Sequence, residues 1–60
     1  MSLGITWYAL EDAAAKYTLE KSLILKWVEE GVVRAEMVTK EEMRVNIDDL
    51  ELKLREMTML

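Results

Sequence analysis

The stretch Leu19-Glu20-Lys21-Ser22-Leu23-Ile24-Leu25-Lys26-Trp27-Val28-Glu29-Glu30-Gly31-Val32-Val33-Arg34-Ala35-Glu36-Met37 changes its apolar period partway along. Up to Glu30 the apolar residues Leu23, Ile24, Trp27 and Val28 fall on one side of a helix, with Lys21, Ser22, Leu25, Lys26 and Glu29 on the other. Gly31 then supplies the left-handed residue that ends a helix. From Val32 the period is two: Val33, Ala35 and Met37 alternate with Arg34, Glu36 and Val38. The spacing predicts a helix over 19–30 followed at once by a strand.

Working outward, Met43, Val45 and Ile47 alternate with Arg44 and Asn46 after the link Thr39-Lys40-Glu41-Glu42. Two such runs joined by four residues predict an antiparallel hairpin over 32–46. Upstream, Leu10, Ala13, Ala14 and Tyr17 lie at i, i+3, i+4 and i+7, which predicts a helix over 9–17 with Glu11 and Asp12 at its positive end. Thr18 is placed to cap the second helix by accepting from Glu20 or Lys21. Trp7 and Tyr8 precede the first helix and are expected to cover the open end of the core. Downstream, Asp48 with Glu51 three residues on resembles a capping box and opens a helix over 48–58. Residues 1–4 read as a leader outside the fold. The expected architecture is one domain, mostly α with a small β-hairpin wing, in the order α-α-β-β-α.

With 60 residues the chain holds one domain at most and buries a modest core. It has no cysteine and no histidine, so neither a disulfide nor a Cys/His metal set is available. No cofactor, metal or small-molecule ligand is indicated. The paired acids Glu11-Asp12 and Asp48-Asp49 sit at helix starts, where they complement the dipole. Without histidine, and with little room for a cleft, catalysis is not expected. No apolar run approaches the roughly 18 residues of a membrane span. Together with the missing cysteines, this gives a cytoplasmic expectation.

Three motifs stand in a fixed order: Ala9-Leu10-Glu11-Asp12-Ala13-Ala14, Trp27-Val28-Glu29-Glu30-Gly31-Val32, and Arg44-Val45-Asn46-Ile47-Asp48-Asp49-Leu50. In order and spacing they resemble the DNA-binding domain of the MerR and excisionase-like families. Those begin with a Glu-Glu-Ala-Ala helix, end the second helix on Trp-x-x-x-Gly, carry a basic wing, and start the next helix on Asp-Leu. The resemblance covers about residues 7–55 and implies a winged helix-turn-helix that binds duplex DNA as a small regulator or excisionase-like factor. It also implies dimerisation through a helix after the domain. The apolar residues Leu52, Leu54, Met57, Met59 and Leu60 suit a homodimer through the last helix. The chain departs from the pattern where the family's turn carries glycine, which here reads Thr18-Leu19-Glu20-Lys21. Its wing carries Glu36, Glu41 and Glu42 among the cations.

The expected DNA-binding residues are Lys21, Ser22, Leu25 and Lys26 on the second helix and Arg34, Lys40 and Arg44 on the wing. Lysine reaches guanine or phosphate, serine is a permissive hydrogen-bonder, and leucine meets a thymine methyl. Charge sets an opposing expectation. The chain holds 8 basic and 12 acidic residues, net -4. Residues 32–46 carry three cations and three acids, residues 9–31 three and five, and residues 47–60 two and four. No segment is basic, so a DNA face must arise by turning the acids away. The alternative is a protein-interaction module on the same scaffold, which would use Leu25 and the acidic surface.

Overall fold

The structure is a computed structural model that describes residues 6–58. The expected leader, and Met59 and Leu60 of the expected dimer surface, lie outside the described residues. The elements are β1 (Trp7–Ala9), α1 (Leu10–Tyr17), α2 (Lys21–Glu29), β2 (Ala35–Met37), β3 (Met43–Asn46) and α3 (Ile47–Thr58). Three helices thus stand with one three-stranded antiparallel sheet of order β1-β3-β2. The architecture is mixed α and β.

The first strand corrects the sequence reading. Trp7 and Tyr8 do not simply lie over the core. They form an edge strand, with Tyr8 opposite Val45 and Trp7 opposite Asn46. Aromatic residues suit a half-buried pleated surface, and all three residues of β1 are half-buried. The run is too short to show alternation, so its sequence gives no period to detect. The Thr6 carbonyl extends the strand's role by accepting from the Ile47 N–H at 2.7 Å.

Each of the first two helices is stopped by a left-handed residue. After α2, Gly31 has φ +80°, the Gly31 N–H donates to Val28 and the Val32 N–H to Trp27. After α1, Thr18 takes the same role at φ 55°, with bonds from Thr18 to Ala15 and Leu19 to Ala14. These two bonds satisfy the last carbonyls of each helix. Thr18 therefore ends α1 and does not cap α2. The residue before α2 is Glu20, whose side chain makes no cap bond.

The core joins Ala13 and Ala14 of α1, Ile24 and Trp27 of α2, Val33, Val45 of β3, and Ile47 and Leu50 of α3. The two alanines let α1 approach both α2 and β3 closely. Trp27 is 4% exposed and fills the centre. The Lys53 ammonium lies 5.9 Å from its ring centroid, where the π-face attracts a cation.

The hairpin differs from its expected outline in three ways. Its strands are shorter than 32–46, with register Ala35↔Val45, Glu36↔Arg44 and Met37↔Met43. The five residues 38–42 join them, and the Thr39 hydroxyl accepts from the Glu41 and Glu42 N–H groups at 3.2 and 3.0 Å. That short-range loop bonding replaces a glycine turn. Met37, expected inward, is 57% exposed, because it sits on the edge strand beyond the helices' cover.

Asn46, expected on the polar side, is buried and caps α3. Its Oδ1 accepts from the Asp49 N–H at 2.9 Å. This overturns the Asp48–Glu51 capping box: the helix starts at Ile47, one residue before its expected start. Asparagine and aspartate cap about equally well; Asn46 takes the role because β3 ends on it and α3 begins at Ile47, which puts Asp48 inside the first turn.

Candidate functional site

On α2 the buried Ile24 and Trp27 turn Lys21, Ser22, Leu25 and Lys26 to the other side, where all four are exposed. Glu29 shares that face one turn beyond Leu25 and Lys26. Leu25 is 37% exposed, an apolar side chain set among charges. The face begins directly after the turn from α1, so its position follows from the Thr18 stop and the Ala13–Ala14 contact.

The cations expected to meet phosphate fall into three groups. Lys21 lies 3.3 Å from Glu11 Oε2 of α1, and Arg44 Nε lies 3.4 Å from Glu42 Oε2. Both pairs are solvent-exposed, and such pairs contribute about 0–1 kcal/mol, so either cation can change partner at little cost. Lys26 and Lys40 are exposed and make no ion pair among the described residues.

Arg34 is different, because the fold employs it. Its Nε and Nη2 donate to Asp49 Oδ2 and Oδ1 at 2.8 and 3.3 Å, and its backbone N–H donates to the same Oδ2 at 3.0 Å. The Asn46 N–H returns to the Arg34 carbonyl at 2.8 Å. Arg34, Asn46 and Asp49 thus tie the start of β2 to the start of α3. The side-chain bond to Arg34, with the backbone bond behind it, holds the Asp49 carboxyl below the usual carboxylate range. The same bond raises Arg34 above its ordinary value.

One further cation lies against two aromatic rings. Lys16 sits 5.8 Å from the Tyr8 centroid and 5.7 Å from that of Tyr17. The Tyr17 hydroxyl donates to Glu51 at 2.6 Å and joins α1 to α3. Partial burial, then the bond to that carboxylate, pushes the phenol's pKa up.

Between the starts of α1 and α2 and the hairpin loop lies an open cleft of about 490 Å³. Glu11, Asp12, Glu41 and Glu42 line it, with Lys21 as its one cation among the lining residues. The acids are therefore not all turned away from the α2 face. They gather at the side of it nearest the hairpin loop, and a positive stripe from Lys21 to Arg44 is interrupted by Glu11 and Glu42.

Sequence reading missed Glu11 and Glu42 as counter-ions and Asn46 and Asp49 as the clamp on Arg34. Asn46-Ile47-Asp48-Asp49 does carry a signal, a capping asparagine with an acid three residues later. Glu42 and Arg44, two apart in an extended run, share a side. The pairing of Lys21 with Glu11 depends on how α1 packs on α2, and no local pattern encodes it.

On the last helix, Leu54 packs against the core while Leu52 and Met57 are exposed. Five residues at 3.6 per turn set those two about 140° apart around the axis. Comparison with family models, with curated proteins and with solved structures gives no match.

Proposed function

We propose that the chain is a winged helix-turn-helix that binds duplex DNA weakly, with α2 in the major groove and the β2–β3 hairpin as the wing. The observation that carries this reading is the placement of Lys21, Ser22, Leu25 and Lys26 on one exposed face of α2. Ile24 and Trp27 anchor the other face, and a three-residue turn joins α2 to α1. A second helix presented in this way, with its N-terminal residues toward base edges, is the geometry of major-groove readers. Lys26 is the principal contact, since it is exposed and makes no ion pair among the described residues. Lys21, Lys40 and Arg44 supply further phosphate contacts, the first and last by exchanging Glu11 and Glu42 for phosphate. Arg34 stays with Asp49 and supports the hairpin instead of clamping DNA.

Binding of a fluorescent random-sequence duplex to the full chain tests the reading. Lys26→Ala is expected to weaken binding and Glu42→Gln to strengthen it, since the latter removes a charge beside the backbone path. A parent protein that leaves the duplex free at low salt would end the DNA reading.

The acidic cleft favours a second reading. Glu11, Asp12, Glu41 and Glu42 around Lys21 would repel phosphate, and Leu25 lies exposed on the neighbouring helix face. On this reading the scaffold is a protein-interaction module for a basic partner, and Leu25→Asp is the substitution that abolishes its contact.

A further inference from the structure

β2 forms one edge of the sheet. The Asn46 N–H donates to the Arg34 carbonyl and the Val38 N–H to the Glu42 carbonyl, so the backbone of residues 34 and 38 is turned toward β3. Alternation along an antiparallel strand then directs the N–H and C=O groups of Ala35 and Met37 out of the sheet. Such an edge is a template for another strand. Met37 at its end and Val38 just beyond it are exposed.

Laid antiparallel on itself about Ala35, the segment Val33-Arg34-Ala35-Glu36-Met37 is self-complementary in its charges. Arg34 meets Glu36, Ala35 meets Ala35, and Met37 comes opposite Val33, whose own side chain is buried in the core. Shifting the axis to Glu36 would set that carboxylate against its own copy, which is unfavourable directly across a ladder. Arg34 uses Nε and Nη2 on Asp49, which leaves Nη1 for a carboxylate. Glu36 makes no ion pair among the described residues.

We propose that β2 is a homodimer seam, in which two copies pair antiparallel about Ala35 and join their sheets into one. Ala35 exchanges two backbone bonds with Ala35 of the second copy, and each Met37 N–H donates to a Val33 carbonyl across the seam. The ladder stops there, because the Val33 N–H is spent on the Trp27 carbonyl at 3.3 Å. Arg34 and Glu36 pair across the seam on one side of it, and Met37 packs on the other. The occupant is a second copy because the charges of Arg34 and Glu36 and the outward backbone groups of Ala35 match their own copies in this register. The seam is independent of the DNA reading.

Sedimentation equilibrium of the full chain, with amide exchange read at Ala35, tests the seam. Dimer is expected to form with rising concentration, and the Ala35 amide to exchange more slowly as it does. Glu36→Arg sets like charges against Arg34 and is expected to weaken the dimer by at least about 10-fold. Met37→Lys, exposed on the other side of the seam, is expected to weaken it as well, while Met57→Glu leaves it unchanged. A chain that stays monomeric up to about 1 mM overturns the proposal. So does a dimer indifferent to both β2 substitutions, or one lost through Met57→Glu.

Discussion

Replacing Thr18 by glycine is expected to stabilise the protein, and replacing Gly31 by alanine to destabilise it by a similar amount. Both residues occupy the left-handed region, Thr18 at φ 55° and ψ 47° and Gly31 at φ +80°. An L-residue there costs roughly 1–2 kcal/mol through its Cβ. A Cβ built on Gly31 meets nothing within 4 Å, so Gly31→Ala carries the conformational cost alone. Alanine also restricts the unfolded chain, which returns about 0.4–1 kcal/mol. The net loss expected is about 1 kcal/mol. Thr18→Gly runs the sum in reverse and gains about the same, because the backbone bonds of Thr18 and Leu19 do not need the threonine side chain. For a chain of this length about 1 kcal/mol corresponds to roughly 4–8 °C in melting temperature. Thermal unfolding followed by circular dichroism at one fixed concentration reads both shifts. A Thr18→Gly protein that melts at or below the parent temperature would refute the reasoning. It would mean that the turn between α1 and α2 does not hold Thr18 left-handed.

Trp27→Ala is expected to cost roughly 3–5 kcal/mol and to abolish a cooperative melt in a domain this small, as a urea titration would record. Asp49, whose carboxyl is held below its ordinary value of about 3.8, stabilises the fold fully above that pH. The contribution is lost as pH falls through the lowered folded value, so Asp49→Asn should flatten the acid limb of melting temperature against pH. Tyr17 is raised, so its contribution is complete below its unfolded value near about 10 and is lost as pH rises toward the folded one. Tyr17→Phe should flatten the alkaline limb. If α3 were the dimer seam, Met57→Glu on its exposed side would give monomer where Glu36→Arg would not, and sedimentation separates the two.

The two long helical patterns and the hairpin were legible because each carries a period that burial enforces. Leu23, Ile24, Trp27 and Val28 must share a side, and Gly31 marks the stop. β1 was not legible, because three residues cannot show a period and their strand form depends on β3 lying beside them. The turn after α1 was read with the wrong role for Thr18. A β-branched residue in the left-handed region runs against its local preference, and packing of α1 on α2 overrides it. Met37 alternates correctly but lies at a sheet edge, where alternation no longer means burial. The exposed residues of α2 were legible as a face. Which of the cations are held by carboxylates was not, since Lys21–Glu11 and Arg34–Asp49 join separate elements.

The salt dependence of duplex binding tests the DNA reading most directly. With Arg34 retained by Asp49, the cations left on α2 and the hairpin are Lys21, Lys26, Lys40 and Arg44. If about two to four of them meet phosphate, log affinity should fall against log salt with a slope of about -2 to -4 per protomer. Lys26→Ala should make that slope shallower by about 0.9. A slope indistinguishable from zero, or an unchanged slope in Lys26→Ala, would contradict the placement of α2 against DNA.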